Sequence, residues 1–298
     1  MDIKKIILTV FCLLVLSNGA TAQLNILNAK TPEEIGLKTE DQLAYDNDQP
    51  LPYGFIDNRD VLWSKTTWEL IDLDERINFP LYFPIDTNDI GVERRSLFDV
   101  LIKNIKNKNI EEVYADSYFT QKITMSDIEN SLIYLDKEAM NDEYNETGVE
   151  NLELIDEYQL GSREIQEWRI RGYWFLDKRS GELKYRLLGI APVAKEARSL
   201  AGGGDEFADI ELFWVWYPAA REVLHKAKAF NRKNTSRPIS FDHLLNSRRF
   251  NSLIYKEDND LGDRAIDEYV NNNALMQLLE SDRIKEVIRN IEIDMWNY

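Results

Sequence analysis

The chain has 298 residues and a formal net charge of −17. A surface this acidic repels nucleic acid and anionic lipid headgroups, and it favours basic partners. A hydrophobic content of 44% is typical of a folded protein rather than a disordered one, and the length allows one large domain or two small ones.

The N-terminus has the pattern of a cleavable secretory signal peptide. Two lysines precede a short apolar run, Ile6 to Leu16, and Ala20-Thr21-Ala22 is a small-residue cleavage site. The run is shorter than the roughly 20 residues that a membrane-spanning helix needs. We therefore expect residues 1–22 to be removed from an exported protein. Cys12, the one cysteine, leaves with that segment, so we expect neither disulfide nor thiolate site in the mature chain.

Composition divides the rest of the chain into four segments. Residues 23–49 are polar and lack periodicity, which predicts an extended or mobile N-terminal segment. Residues 50–137 form a first α+β half. Residues 138–160 are rich in carboxylates and predict an acidic linker, and residues 161–298 form a second α+β half that ends in a long helix.

In the first half, apolar spacing predicts a helix over Val61 to Leu73. Two prolines then predict an extended aromatic connector over Asn78 to Pro84. An amphipathic helix follows over Arg94 to Asn107, and alternation predicts a strand over Ile110 to Phe119. Ser126 and Glu129 have the spacing of a capping box before one more helix.

The second half is predicted to open with two strands, Trp168 to Phe175 and Leu183 to Ile190, joined as a hairpin. A glycine-containing loop over Ala194 to Asp209 leads to an apolar strand over Ile210 to Tyr217. The elements that follow are four helices and a strand: Pro218 to Phe230, Phe241 to Phe250 capped by Ser240, the strand Ser252 to Lys256, Asp263 to Val270, and Asn272 to Met295.

The last helix is predicted to bury a continuous apolar stripe. Its members recur at helical spacing: Leu275, Leu278, Leu279, Ile284, Val287, Ile288 and Ile291.

Together these elements predict an α+β fold with helices packed on a small mixed or mostly antiparallel sheet. Their order recurs, because Ser96-Leu97-Phe98-Asp99 and Ser240-Phe241-Asp242 each open a helix that leads to a short strand carrying a tyrosine. An internal duplication and a chance likeness between helix–strand units both explain this recurrence.

Three sequence motifs resemble catalytic or metal-binding sites but lack residues that such sites need. Gly203 to Phe207 spells the signature of diguanylate cyclases, but the chain is predicted to be exported and the upstream carboxylates are too distant. Asp86 to Gly91 has the rhythm of a calcium loop but lacks the closing glutamate. His225 and His243 have no metal-ligand spacing. The sequence therefore predicts no catalytic residues, no cofactor and no metal site.

Aromatic side chains are the better candidates for an interaction surface. Trp214 and Trp216 share one face of the predicted strand, which favours either a buried strand or a face that docks a partner. The chain ends with Trp296 and Tyr298, which pack on the chain's own domain or contact a partner. Exposed tryptophans could also stack on sugars, and this gives the alternative of a periplasmic carbohydrate- or peptidoglycan-binding module.

Several stretches after Gln49 resemble the GldN/PorN family of gliding-motility and type IX secretion proteins. The residues that carry the resemblance are Pro52 to Asp57, Asp60 to Lys65, Asp72 to Arg76, Asn78 to Tyr82, Arg95 to Leu101, Tyr185 to Ile190, Arg237 to Leu245, Glu280 to Glu286 and Asp294 to Tyr298.

The resemblance implies a non-catalytic structural subunit in the periplasm, at the inner face of the outer membrane. It implies a ring-like assembly with a lipoprotein of the GldK/PorK type, linked to the inner-membrane motor, with a GldM/PorM-type component as a further candidate partner. This machine exports proteins with C-terminal sorting domains. The resemblance supplies no catalytic residues.

Overall fold

A computed structural model describes residues 48–86, 95–137, 155–202, 207–231, 239–271 and 273–295. The strands are β1 Val61–Asp72, β2 Val113–Tyr114, β3 Ile133–Asp136, β4 Asp156–Gln159, β5 Ile165–Asp177, β6 Glu182–Lys195, β7 Asp209–Glu211, β8 Trp214–Trp216, β9 Lys228–Ala229, β10 Ile239–Ser240 and β11 Leu253–Glu257. The helices are α1 Phe79–Tyr82, α2 Leu97–Lys106, α3 Met125–Leu132, α4 Tyr217–Lys226, α5 Phe241–Asn246, α6 Ile266–Tyr269 and α7 Ala274–Met295.

One antiparallel sheet organises the described residues. Its strand order is β11-β1-β5-β6-β8-β2, and β7 pairs with β6 beside β8. Two-stranded ribbons, β3 with β4 and β9 with β10, lie outside it. The α+β class and the mostly antiparallel sheet are confirmed, and so is the β5–β6 hairpin at the centre.

The main core lies between the sheet and the helices on one face. Ile190 and Val215 of the sheet are fully buried with Leu101 of α2, Leu224 of α4 and Phe241 of α5. Ser96 and Ser240 cap α2 and α5 by accepting hydrogen bonds from backbone N–H groups three residues on. The amphipathic helix and the Ser240 cap are confirmed, but α2 begins at Leu97 rather than Arg94, and α5 ends at Asn246 rather than Phe250.

The predicted helix over Val61 to Leu73 is wrong, because this segment is the long strand β1. Its threonines, tryptophans and branched residues favour a strand. Thr66 to Glu69 are buried on both faces of the sheet, so the period of two that would mark a half-exposed strand is absent.

The predicted extended connector over Asn78 to Pro84 is wrong in part. Phe79–Tyr82 forms the short helix α1 with Pro80 in its first turn, where a missing N–H costs nothing. The capping box begins at Thr124 rather than Ser126, with Asp127 as its second member.

Two predicted strands are shorter than their apolar patterns. Of Ile110 to Phe119, only Val113–Tyr114 is a strand, because the Asp116 carboxylate accepts N–H groups of Tyr118, Thr120 and Gln121 and folds them into a turn. Ile210 to Tyr217 is interrupted at Leu212 and Phe213, where the register against β6 shifts by one residue between β7 and β8.

The C-terminal helix α7 is present, but its predicted stripe is wrong in part. Ile284 and Ile288 are buried with Ser281, and Ile291 is half-buried. The other members of the stripe are exposed: Leu275, Leu278, Leu279 and Val287. The helix lies against the edge strand β11 along one narrow line, so its apolar residues point in two directions.

The predicted acidic linker 138–160 is described only at its end. There, Asp156–Gln159 forms β4 and pairs with β3, so this part is a strand rather than a linker. Residues 138–154 and the predicted N-terminal segment up to residue 47 lie outside the described residues, as does the predicted signal peptide. Among the described helices, none is both long and apolar enough to cross a membrane.

The sheet is arranged symmetrically about its central hairpin. Outward from β5 and β6, each side has a tryptophan-bearing strand and then a short edge strand: β1 and β11 on one side, β8 and β2 on the other. The edge strands are exchanged, meaning that each pairs with a strand of the other half. β2 of the first half pairs with β8 of the second, and β11 of the second half pairs with β1 of the first. The two halves thus share one sheet, and their common origin stays a prediction.

Candidate functional site

The tryptophans predicted as an interface differ in their exposure. Trp214 is fully buried, and its indole N–H donates to the carboxylate of Glu211. It therefore presents no surface to a partner or a sugar, which corrects the prediction for this residue. Trp216 is half-buried and packs edge-on against Phe119, with ring centroids 4.8 Å apart. Its role as an interface residue stays a prediction.

The Phe119 ring covers the face of the sheet on which Trp214 and Trp216 lie. A side chain at Gly189 would stand 2.4 Å from the Phe119 ring, so glycine is what lets that ring lie against β6. Arg171 anchors the same turn by donating to the carbonyl of Ser117 and by lying over the Trp68 ring, 4.9 Å from its centroid.

The other residues singled out in the sequence do not come together as a catalytic or metal site in the described part of the chain. Trp296, Tyr298 and residues 203–206 lie outside the described residues. His225 contacts Asp48 at 2.8 Å near the start of the described chain. Within the described ranges, no group of three or more His, Cys, Asp or Glu side chains is placed to hold a metal ion.

A buried charged centre lies where β1 meets the loop after α5. The Glu69 carboxylate is 1% exposed and forms a two-pronged ion pair with the Arg248 guanidinium, at 2.6 and 3.1 Å. Ser252 and Thr67 donate hydroxyl hydrogen bonds to the same carboxylate. Burial opposes the charged form of Arg248, but Glu69 and Tyr185 together outweigh this effect and raise the pKa of Arg248.

Two aromatic rings complete this centre. Arg248 stacks on Tyr185, 4.4 Å from its ring centroid, and Tyr185 packs against Trp174 at 4.8 Å. Tyr185 occupies the space above Gly172, where an added side chain would stand 2.2 Å from the ring. Burial, reinforced by the Glu69 charge, raises the pKa of Tyr185, so its hydroxyl stays protonated at neutral pH.

A cavity of about 260 Å³ opens beside this centre, under α7. Glu69, Trp174 and Arg248 contribute to its floor, and the helix supplies one wall. The remaining lining residues come from the sheet and from α7: Leu183, Ile254, Lys285, Ile288, Arg289 and Glu292.

A second buried ion pair holds α4 to α5. Arg221 donates to both carboxylate oxygens of Asp242, at 2.9 and 3.1 Å, and the Tyr217 hydroxyl donates to the same carboxylate at 2.8 Å. Asn246 joins this group and accepts a hydrogen bond from Tyr53 at 2.7 Å. Burial, followed by the Asp242 charge, raises the pKa of Tyr217. The centre thus ties the N-terminal end of the described chain to two helices.

These centres use their charges to hold elements together. Glu69 and Asp242 each already accept several hydrogen bonds, so neither is poised as a catalytic base. Sequence reasoning missed both centres. The one usable signal was Glu69, a carboxylate between Trp68 and Leu70 that needs a partner once it is buried.

The decisive finding is a comparison with known families. The family model described as gliding motility associated protein GldN matches residues 56–297, which is most of the chain. The chain belongs to the GldN family. The resemblance noted in the sequence is therefore confirmed. No curated protein matches the chain.

Membership of the GldN family makes the chain a component of the gliding-motility and type IX secretion machinery. The family is a structural component and is not a known enzyme family. The matched range spans every strand of the central sheet, both buried ion pairs and the cavity under α7.

Proposed function

We propose that this GldN-family chain is a non-catalytic structural subunit that works in the periplasm beneath the outer membrane. In this proposal it assembles with a lipoprotein of the GldK/PorK type into a ring-like complex, and a GldM/PorM-type motor component is a further partner. The complex is needed to export proteins with C-terminal sorting domains.

The family match over residues 56–297 is the observation that carries this proposal. The way the chain uses its buried charges supports it. Glu69 with Arg248 joins elements 179 residues apart, Asp242 with Arg221 joins the consecutive helices α4 and α5, and both carboxylates are engaged in these contacts. The acidic net charge of −17 favours basic surfaces on its partners.

The alternative of a glycan-binding module relied on exposed tryptophans. Trp214 is fully buried, so that alternative has lost one of its two residues. We keep it as an outcome of the experiment rather than as a second proposal.

The test is reconstitution with two purified binding candidates. Tagged chain lacking residues 1–22 is mixed with a purified GldK/PorK-type lipoprotein or with insoluble peptidoglycan, and complexes are separated by size exclusion or by sedimentation. The proposal expects a stable, large complex with the lipoprotein. Retention on peptidoglycan without any complex with the lipoprotein would overturn it. Fractionation of cells, with N-terminal sequencing of the envelope form, tests export and cleavage after Ala22.

A further inference from the structure

The cavity under α7 combines an apolar wall with charged side chains. Its apolar part consists of Leu183, Ile254, Ile288 and the ring of Trp174. The Trp174 indole N–H is buried, and no acceptor for it lies within the described part of the chain. This N–H has no contact with solvent, so an occupant of the cavity would meet the indole ring and not its N–H.

Lys285 gives the cavity its charge. This half-buried side chain donates to the carbonyl of Ser252 at 2.7 Å, and the described residues place no carboxylate within ion-pair distance of it. In a chain of net charge −17, a half-buried ammonium paired only with a carbonyl is unusual, because desolvating a cation without an anion is costly.

The other charged groups at the cavity leave a positive balance. The Glu69 charge is neutralised by Arg248 in a two-pronged pair. Arg289 adds a second cation at the rim, where its contact with Glu286 is long, at 3.4 Å between groups that are both 64% exposed. Glu292 is the one remaining acid in the lining. The cavity therefore favours an anion.

The geometry points to a carboxylate-bearing side chain of a partner polypeptide, and we propose that the cavity under α7 binds one. Its carboxylate would meet Lys285 and Arg289, with its methylene groups on Ile254, Ile288 and the Trp174 ring. The choice of a polypeptide rests on the proposed assembly function, whereas the choice of a carboxylate rests on the cavity itself.

Size and surroundings also favour a polypeptide. A volume of about 260 Å³ is below the roughly 300–1,000 Å³ of typical small-molecule pockets, so it suits one anchoring side chain of a larger body. Leu278 lies seven residues before Lys285, on the same side of α7, and it is 45% exposed. It offers an apolar contact to the residues beside the anchor.

The test uses two acetylated and amidated peptides, Leu-Glu-Leu and Leu-Gln-Leu, added to isotope-labelled chain. The Trp174 indole N–H signal, assigned with Trp174→Phe, reports binding. We expect the glutamate peptide to shift this signal saturably and to bind roughly ten-fold or more tightly than the glutamine peptide, because charge-assisted hydrogen bonds are the stronger ones.

Two double variants separate the cavity from general charge effects. Lys285→Gln with Arg289→Gln should weaken the glutamate peptide by roughly ten-fold or more. Lys103→Gln with Lys106→Gln removes two cations from α2 and should leave binding unchanged. Unfolding curves confirm that both variants are folded.

Three results would overturn the proposal: no shift at millimolar peptide, equal binding of both peptides, or unchanged binding by the Lys285 and Arg289 variant. Equal affinity for sodium acetate would refute the polypeptide part. The outcome is independent of the assembly experiment, because a lipoprotein that does not bind the unaltered chain refutes the proposed function while the peptide result still stands or falls by itself.

Discussion

Helices α2 and α5 begin with the same serine cap, but their aspartates are in opposite environments. Asp99 is the third residue after Ser96, and it pairs at the surface with Lys103, which is 56% exposed. Asp242 is the second residue after Ser240, and it is buried against Arg221 and Tyr217. One residue turns a side chain by about 100° around a helix, which is enough to move a carboxylate from solvent to core.

This difference shows how a local sequence pattern acts. The serine and the apolar residue after it set where each helix begins, in both halves alike. The position of the aspartate relative to the cap then decides where its carboxylate lies. At the surface the charge contributes little to stability, whereas in the core its loss is strongly destabilising.

The largest effect is expected from removing the buried carboxylate. Asp242→Asn should lower the free energy of unfolding by about 3–5 kcal/mol, because it leaves the buried Arg221 guanidinium without its counter-charge. Asp99→Asn, the matched change on α2, should cost at most about 1 kcal/mol. Urea unfolding followed by circular dichroism measures both. Equal losses would show that the two aspartates have the same role.

A second comparison concerns the two glycines over which rings lie, one on each central strand. Gly172→Ala should cost about 1–3 kcal/mol, because the Tyr185 ring above it is held by Trp174 and Arg248. Gly189→Ala should cost less, because the added carbon would overlap fewer ring atoms: Phe119 lies at 2.4 and 2.9 Å, whereas three Tyr185 atoms lie within 2.4 Å at Gly172. Thermal unfolding ranks the two variants, and the reverse order would mean that the Phe119 turn is the more rigid of the two.

The β11 edge of the sheet offers a third test. On the β11 side, the N–H of Ile254 donates to the buried Ser281 hydroxyl of α7 at 3.0 Å. Ser281→Ala should therefore cost about 1–3 kcal/mol and speed hydrogen exchange at the Ile254 amide. Asp282→Ala, at the exposed neighbouring position, is the control. If exchange at Ile254 is unchanged, α7 does not protect this edge.

The smallest effect is expected from the caps themselves. Ser96→Ala and Ser240→Ala should each lower stability by about 1 kcal/mol, since each leaves one helix N–H without its acceptor. Glycine at the same positions should cost only a few tenths of a kcal/mol. Chemical unfolding of the four variants checks this. A loss several times larger at one cap would show that its serine does more than cap the helix.

Local signals explain what could be predicted from the sequence. The β5–β6 hairpin, the amphipathic helix α2 and the serine cap of α5 each depend on residues close together in the chain. β1 escaped prediction because both of its faces are buried at Thr66 to Glu69. The exposed leucines of α7 were expected to be buried, because spacing along a helix shows which residues share a face but not which face meets the core.

The candidate site was less accessible to sequence reasoning than the fold. Glu69 and Arg248 are 179 residues apart in the sequence, and no local pattern predicts such a pairing. Trp214 and Trp216 were recognised as important aromatics, yet their exposure depends on Phe119, which reaches them from a separate turn. Family membership came from many short stretches in order, and it identified the machine without identifying a contact surface.

The exchanged edge strands also bear on how the chain reaches its native state. β1 is made early, but its outer neighbour β11 begins only at Leu253, near the end of the described chain. Pairing partners so far apart in sequence slow folding, because a long loop must close before the contact stabilises anything. Until then β1 exposes a bare edge, which is a site for aggregation. A chain truncated before Leu253 would keep that edge open, so this edge of the sheet is covered only after the chain has been made through Glu257.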